Sequence, residues 1–465
     1  MQRNQSLDAL RGFAILTMVL SGSIAFGGVL PAWMYHAQVP PPLHKFDPSI
    51  HGITWVDLVF PFFLFSMGAA IPLSLARMMK ERSHFLPVLW IATRRLLLLT
   101  FFALFILHMR AWVISETPGS SDYVLSLVAF VLLFFQFYET GNHAQRKFFQ
   151  GLKLLSFAIA VLLLYYLPFG GKGFLFEKSD IIILVLGNMA FFGTIIWWFT
   201  KHHPLLRLGI LPFIMAIFLG GKEAGSWNEV ILNFSPLPWM YKFYYLKYLF
   251  IVIPGTFAGE WMLRQTQHKT MVPSAKEHAF GAVIATIALS LVVINTALLF
   301  QRHLVLNMGV TLLLVLLLGC LLYNINKRHN LLLNRFFRAG TYLLLLGLFF
   351  EAYEGGIRKD TSTYSYYFVT SGLAFFMLIG FYSMQMIGAA NGVMQYLSLN
   401  GRNPMVAYVA GSLLLIPVLH LSGWITYFNA MNSNPWLGFA KGIIFTGVVS
   451  LVTIFFTRRN WFWKT

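Results

Sequence analysis

Residues 54–76 read Thr-Trp-Val-Asp-Leu-Val-Phe-Pro-Phe-Phe-Leu-Phe-Ser-Met-Gly-Ala-Ala-Ile-Pro-Leu-Ser-Leu-Ala, and Asp57 is the one charged side chain among them. A helix needs about 20 mostly apolar residues to cross the hydrocarbon core of a bilayer. The stretch 55–76 therefore predicts a membrane-spanning helix, and similar stretches recur along the whole chain.

The composition extends this prediction to all 465 residues. Hydrophobic residues make up 58% of the chain and charged residues 11%, whereas soluble domains carry about 25% charged residues. So few charges cannot cover a soluble globule of this size. Cys320 is the single cysteine, so a disulfide scaffold is excluded. The composition predicts an all-α polytopic membrane protein that forms one integral membrane domain over 1–465.

About fourteen transmembrane helices are predicted, and none of the segments alternates polar with apolar residues as a barrel strand would. The predicted spans are 9–30, 55–76, 91–109, 123–138, 154–168, 180–200, 205–220, 243–263, 278–300, 304–323, 339–353, 364–388, 404–426 and 437–457.

The basic residues predict the orientation. The net charge is +18, and a cytoplasmic N-terminus places 23 of the 34 Lys and Arg residues inside and 11 outside. Basic residues hold cytoplasmic loops in place, so both termini are expected inside and no nucleic-acid partner is expected. The segment 31–54 then faces outward, and a cysteine introduced at Gln38 is expected to be labelled from that side.

The outward segment 31–54 is rich in histidine and proline. It contains His36, His44 and His51, with Asp47 between the last two. Prolines stiffen such a segment, and a stiff loop with imidazoles and carboxylates can hold a general base. The alternative is that these are interfacial histidines with ordinary hydrogen bonds. The spacing matches no zinc-ligand pattern, so no metal is expected.

Asp57 lies in the first turn of a very apolar predicted helix. A carboxylate there is costly to leave unpaired. It is expected to orient a neighbouring histidine, to cap the helix N-terminus, or to do both.

Basic residues near the opposite face form a predicted cofactor site. Arg3, Asp8 and Arg11 precede or begin the first span, and Arg94 and Arg95 lie in the third. Guanidinium groups match phosphate geometry, so these arginines are expected to bind a phosphorylated cofactor. The alternatives are plain membrane anchoring and, for Asp8 and Arg11, a buried ion pair.

A later outward loop, 351–367, is polar, aromatic and hinged by glycine. Such a surface suits a sugar, and the alternative is an ordinary connecting loop. The predicted substrate-binding set is His36, His51, Trp55, Glu354, Lys359 and Tyr366.

Several motifs resemble those of the transmembrane acyltransferases typified by heparan-α-glucosaminide N-acetyltransferase and its bacterial relatives. The resemblance lies in Ser6-Leu-Asp8-x-x-Arg11-Gly12, Gly52-x-Thr54-x-x-Asp57-Leu-Val-Phe-Pro61-x-Phe-x-Phe-x-Met67-Gly68, Lys359-Asp-Thr-Ser-Thr-Tyr-Ser365-Tyr366, Gly401-Arg-Asn403-Pro-Met-Val-Ala-Tyr408 and Arg459-Asn-Trp-Phe-Trp463-Lys464.

This resemblance implies an enzyme that moves an acetyl group from cytosolic acetyl-CoA to an amino sugar or other glycan acceptor at the outer face. It also implies a core of about ten helices, beside which 123–168 and 278–324 look like extra helix pairs. A bacterial inner membrane is the expected location. Besides acetyl-CoA and the glycan, the expected partners are membrane lipids, with a homodimer left open. The alternative function is a glycan or lipid-linked sugar transporter without acyl transfer.

The chain departs from the family at the active histidine, because Asp47 occupies that position here. His44 lies three residues before it and His51 four residues after it. We nominate His44 as the base, with Asp47 or Asp57 orienting it. His51 taking this part, or Asp47 acting itself, stays open.

Overall fold

A computed structural model describes residues 4–24, 30–80, 84–141, 144–266, 275–324, 331–388 and 391–465. Across these ranges the chain is helical, and the only β-type pairing is one isolated bridge between Tyr138 and Trp463. The predicted all-α class is therefore confirmed.

Fifteen helices of eleven or more residues are described. They are α1 Gln5–Ser23, α2 Trp55–Lys80, α3 Phe85–His108, α4 Ser120–Phe137, α5 Arg146–Tyr166, α6 Ile181–Thr200, α7 Pro204–Gly220, α8 Leu249–Thr266, α9 Ala275–Phe300, α10 Leu304–Asn324, α11 Leu331–Tyr353, α12 Tyr364–Met386, α13 Asn391–Gly401, α14 Pro404–Leu421 and α15 Pro435–Arg458. Helix α14 contains a π-helical stretch at Ala410–Leu415.

Within the described ranges, eleven helices are long and apolar enough to cross a membrane. Each of the fourteen predicted spans falls on a helix, and the three outside the eleven are α1, α7 and α8. Helix α7 has 17 residues, which is short for a full crossing. So many apolar helices indicate an integral membrane protein.

Two predicted spans begin too late because charged residues extend the helices beyond their apolar part. The span predicted from 154 belongs to α5, which begins at Arg146, and the span predicted from 339 belongs to α11, which begins at Leu331. Arg and Lys are good helix formers, so the backbone stays helical where the hydropathy falls.

The chain contacts divide into two compact units, one formed by 1–83 and 248–401 and the other by 84–247 and 402–465. The second unit contains α3 to α7, α14 and α15. In it α4 packs on α5, and α3 packs on α6. Asp180 is the N-cap of α6, and it accepts hydrogen bonds from Arg110 at 2.9 Å and from the Tyr408 hydroxyl at 2.7 Å.

The first unit is built around α12, which contacts α1, α2, α8, α9, α11 and α13 and is buried along almost its whole length. Helices α2 and α8 approach closely because Gly68 and Gly255 present bare backbone to each other's helix. Small residues at such contacts let helix backbones pack tightly in a membrane. Helices α9 and α10 form a hairpin across three residues, 301–303.

Candidate functional site

The segment 31–54 folds back so that Tyr35 and Ala37 lie against the first turn of α2. The Thr54 hydroxyl donates to the carbonyl oxygen of Tyr35 at 2.6 Å. Oδ2 of Asp57 accepts from the backbone N–H groups of Ala37 at 3.2 Å and Thr54 at 2.9 Å. A carboxylate in a first helical turn finds N–H groups without helical partners, and here it also holds the incoming loop.

This fold places His36 between two carboxylates. Its Nδ1 lies 3.0 Å from Oδ1 of Asp57, and its Nε2 lies 2.9 Å from Oδ2 of Asp360. Nζ of Lys359 lies 3.7 Å from the same Asp57 oxygen. We call His36, Asp57, Lys359 and Asp360 the His36 cluster, and all four belong to the first unit.

The cluster runs from the interior of the unit to its surface. The Asp57 side chain is fully buried, those of His36 and Lys359 are 18% and 23% exposed, and that of Asp360 is 45% exposed. The imidazole therefore joins a buried carboxylate to one that water reaches.

Protonation of His36 follows from this arrangement. Burial lowers the pKa of the imidazole, but the hydrogen bonds to Asp360 and Asp57 outweigh burial, and the pKa is raised above its ordinary value. The Lys359 ammonium opposes the rise. Each carboxylate contact is favourable when the facing ring nitrogen carries a proton, so the two contacts together favour the protonated ring.

The segment 354–363 brings Lys359 and Asp360 to His36. Glu354 accepts from the backbone N–H groups of Tyr364 and Ser365, both at 2.8 Å, and so caps α12. The backbone N–H of Gly52 donates to the carbonyl oxygen of Ile357 at 2.8 Å. The segment is thus fixed at its end on α12 and again on the loop that carries His36.

The nominated base, His44, has another environment. Its ring packs edge-on against Tyr35 with centroids 4.5 Å apart. Asp57 contacts His36, and exposed Asp47 accepts from the N–H and hydroxyl of Ser49 at 2.8 and 2.6 Å. These contacts connect Asp57 with His36 and Asp47 with Ser49, because the loop turns between His36 and His44 and directs the former to α2. The orientation of His44 by Asp57 or Asp47 stays a prediction.

Asp47 is held in its charged form. The hydrogen bonds from the Ser49 side chain and backbone lower the pKa of its carboxyl group, and the side chain is solvent-exposed. A carboxylate with a lowered pKa and no buried surroundings is a weak base.

His51 lies beside Gly356, where the imidazole leaves no room for a Cβ atom. Burial lowers the pKa of His51, and the guanidinium groups of Arg358 and Arg302 lower it further. Trp55 is the first residue of α2 and is partly exposed. Both residues lie between His36 and Asp57 in the chain.

Two of the predicted substrate-binding residues, Tyr366 and Glu354, have structural contacts within the chain. Tyr366 is completely buried, and its hydroxyl donates to the backbone carbonyl of Asp57 at 2.7 Å. It therefore supports the first turn of α2. Glu354 is occupied by the cap of α12.

The predicted cofactor residues are distributed over both units. Arg3 lies outside the described residues. Arg11 donates to Asp8 and to the carbonyl oxygens of Gly401 and Ser66, each at 3.4 Å, as expected for the ion-pair alternative. These contacts join α1 to α13 and α2 within the first unit.

Arg94 and Arg95 belong to α3 in the second unit. Arg94 is 43% exposed and pairs with Glu139 at 3.4 Å, and Lys464 lies 3.5 Å from the other oxygen of that carboxylate. Arg95 is partly buried. Arg94 and Lys464 together carry two positive charges against the single negative charge of Glu139. The excess positive charge could bind an anion.

Sequence reasoning missed two residues of the site. Asp360 stands in the Lys359 motif, but it is not among the site residues that the sequence predicts. Gln38, the position at which the sequence predicts labelling from outside, is completely buried. Its side chain bonds to the backbone of Asp360, 322 residues away, and no local pattern indicates such a contact.

Among the residues that the structure describes, no three His, Cys, Asp or Glu side chains converge on a point where a metal ion could bind. A family model described as a domain of unknown function, DUF5009, matches residues 3–262. The match includes His36 and Asp57 and ends before Lys359 and Asp360. A comparison with curated proteins gives no match.

Proposed function

The chain belongs to the DUF5009 family, and we propose that it is a membrane acyltransferase that moves an acetyl group from acetyl-CoA to a glycan amine or hydroxyl. The observation that carries the proposal is the contact of His36 with buried Asp57 at 3.0 Å. The proposal transfers the role of base from His44 to His36.

The geometry suits general-base chemistry. Asp57 binds Nδ1, fixes the ring and stabilises the charge that the ring acquires, and Nε2 is left to face the acceptor. A positioned base contributes about 10²–10⁴ in rate. Because Nε2 faces Asp360 in this structure, the acceptor takes the place of that carboxylate when it binds, after His36 has lost its second proton.

Lys359 is a suitable donor to the thioester carbonyl. As the acceptor attacks the thioester carbonyl and gives its proton to Nε2 of His36, negative charge develops on the carbonyl oxygen, and a positioned cation stabilises it. The C–S bond then breaks, and coenzyme A leaves as its thiolate. The ammonium lies 3.7 Å from Asp57 and is partly exposed, so it lies next to the base and is open to a substrate. Glycan contacts from His51 and Trp55 complete the proposed acceptor site.

The proposed topology has both termini in the cytoplasm of a bacterial inner membrane. Acetyl-CoA approaches from the cytoplasm, and the glycan reaches the His36 cluster from the outer side. Binding of phosphate by Arg94 and Arg95 is a separate proposal for the second unit. The positive-inside distribution of Lys and Arg supports this arrangement.

The test uses the full chain, purified in detergent, with radiolabelled acetyl-CoA and either glucosamine or a neutral hexose. Transfer of label to one of the sugars is the expected result. Uptake of an unmodified glycan by proteoliposomes, with no transfer of label to either acceptor, would favour the alternative of a transporter.

A further inference from the structure

Gln38 has contacts that are unusual for a loop glutamine. It is completely buried. Its Oε1 accepts from the backbone N–H of Asp360 at 2.8 Å, and its Nε2 donates to the backbone carbonyl of the same residue. A further bond joins Nε2 to the carbonyl oxygen of Pro48 at 3.3 Å.

Two opposed hydrogen bonds to one residue fix its backbone much as a neighbouring strand would. With its backbone fixed, Asp360 can move only by rotation about its side-chain bonds. Its Oδ2 lies 2.9 Å from Nε2 of His36. The backbone N–H of Gln38 lies 3.2 Å from Nδ1 of His36, a hydrogen bond that requires Nδ1 without its proton and that the contact with Asp57 replaces when this nitrogen is protonated. Gln38 acts on Asp360 through the two bonds of its side chain.

The charges of the cluster show what Asp360 contributes. The groups facing His36 are Asp57 from α2 and Lys359 and Asp360 from the segment 354–363. With His36 protonated, two positive and two negative charges balance. Without Asp360, the charges of Asp57 and Lys359 would cancel while His36 is neutral. The Asp360 carboxylate therefore favours the imidazolium form, in which both ring nitrogens of His36 carry a proton.

We propose that Gln38 is a positioning residue that holds Asp360 against Nε2 of His36. In this position Asp360 controls whether Nε2 carries a proton. Asp57 is fully buried and Asp360 is 45% exposed, so the proton on Nε2 passes to solvent along the Asp360 side. The inference deepens the proposed function, because a general base must release the proton that it takes from each acceptor.

The experiment is an NMR titration of the full chain in detergent, with histidine labelled on the ring and His36 assigned by its loss in H36Q. The midpoint of His36 is expected to fall in D360N and in Q38A. It should fall no further in the double variant, because both changes remove the same contact. The matched control is D47N, which removes a loop carboxylate that bonds Ser49, and its midpoint should equal that of the parent.

An unchanged midpoint in D360N would overturn the role of Asp360, and a shift in D360N without one in Q38A would overturn the role of Gln38. Where Q38A does not fold, Q38N is titrated in its place, since it keeps the amide on a shorter side chain. The titration contains no acetyl-CoA. Shifts as expected in a protein that transfers no acetyl group would therefore sustain this inference and contradict the proposed function.

Discussion

Nδ1 of His36 lies 3.0 Å from Oδ1 of Asp57, although 21 positions separate the two residues in the chain. The contact exists because the Thr54 hydroxyl binds the Tyr35 carbonyl and Asp57 binds the N–H of Ala37. The residues on both sides of His36 are thus fastened to the first turn of α2, and the ring has a defined partner.

The first prediction compares two histidines of the same loop. His36→Ala is expected to lower kcat for acetyl transfer by about 10²–10⁴, the usual contribution of a positioned base. His44→Ala should retain most activity, because the buried carboxylate of Asp57 contacts His36 and the His44 ring packs edge-on against Tyr35. Initial rates at saturating acetyl-CoA measure both effects.

Coenzyme A binding serves as the control for this pair, since neither histidine belongs to the proposed phosphate site. A nearly normal rate in His36→Ala together with a large loss in His44→Ala would return the base to the residue nominated from the sequence.

The second prediction concerns stability and pH. The pKa of His36 is raised in the folded protein, so its stabilising contribution is fully present below its unfolded pKa of about 6.5. The contribution is lost as pH rises through the folded-state pKa. The difference in thermal midpoint between the parent and His36→Gln should therefore be larger at pH 6 than at pH 9. Comparing the two proteins at each pH cancels the other titrating groups, and a difference that grows with pH would contradict the raised pKa.

The sequence predicted the helices more closely than it predicted the contacts of the site. The apolar runs predicted α2, α6 and α12 closely, because length and hydropathy determine a membrane span. The sequence also indicated that Asp57 would cap a helix and orient a histidine. It did not show which histidine, since that choice depends on how the loop folds onto α2.

The sequence could not predict the pairing of Asp360 with His36, for a further reason. The two residues are 324 positions apart, and they meet because α12 packs in the middle of its unit and Gln38 binds the segment before it. A single sequence carries no signal for contacts at that separation. The resemblance placed Lys359 in a motif, but not beside Asp57.

The third prediction separates a binding arginine from a structural one. Arg94 is exposed and pairs with Glu139 at 3.4 Å, and such surface pairs contribute about 0–1 kcal/mol to stability. Arg94→Ala should therefore unfold as the parent does, yet lose about 1.5–3 kcal/mol of coenzyme A affinity for each charged hydrogen bond removed. Calorimetric titration and thermal unfolding measure the two quantities.

Arg11→Met should behave in the opposite way. It removes the guanidinium from Asp8, which is 6% exposed, and breaking a buried pair costs up to about 3–5 kcal/mol. The thermal midpoint should fall. A stable Arg11→Met protein that no longer binds coenzyme A would instead assign Arg11 to the cofactor.

The last prediction tests the topology with a residue that a reagent can reach. Gln38 is unsuitable because it is completely buried, whereas Leu43 in the same segment is 80% exposed. With the native cysteine changed in Cys320→Ser, a cysteine in Leu43→Cys should react with an impermeant maleimide in intact cells, because the distribution of basic residues predicts that the segment 31–54 lies outside. Val305→Cys is the control on the same side, since Val305 is 89% exposed and is the second residue of α10. The same topology predicts that the preceding loop 301–303 lies outside, so this cysteine should react as Leu43→Cys does. Reaction of Leu43→Cys only after the cells are permeabilised would put the His36 cluster on the cytoplasmic side. Acetyl-CoA would then reach the base without crossing the membrane, and transfer between the two faces would have to be abandoned.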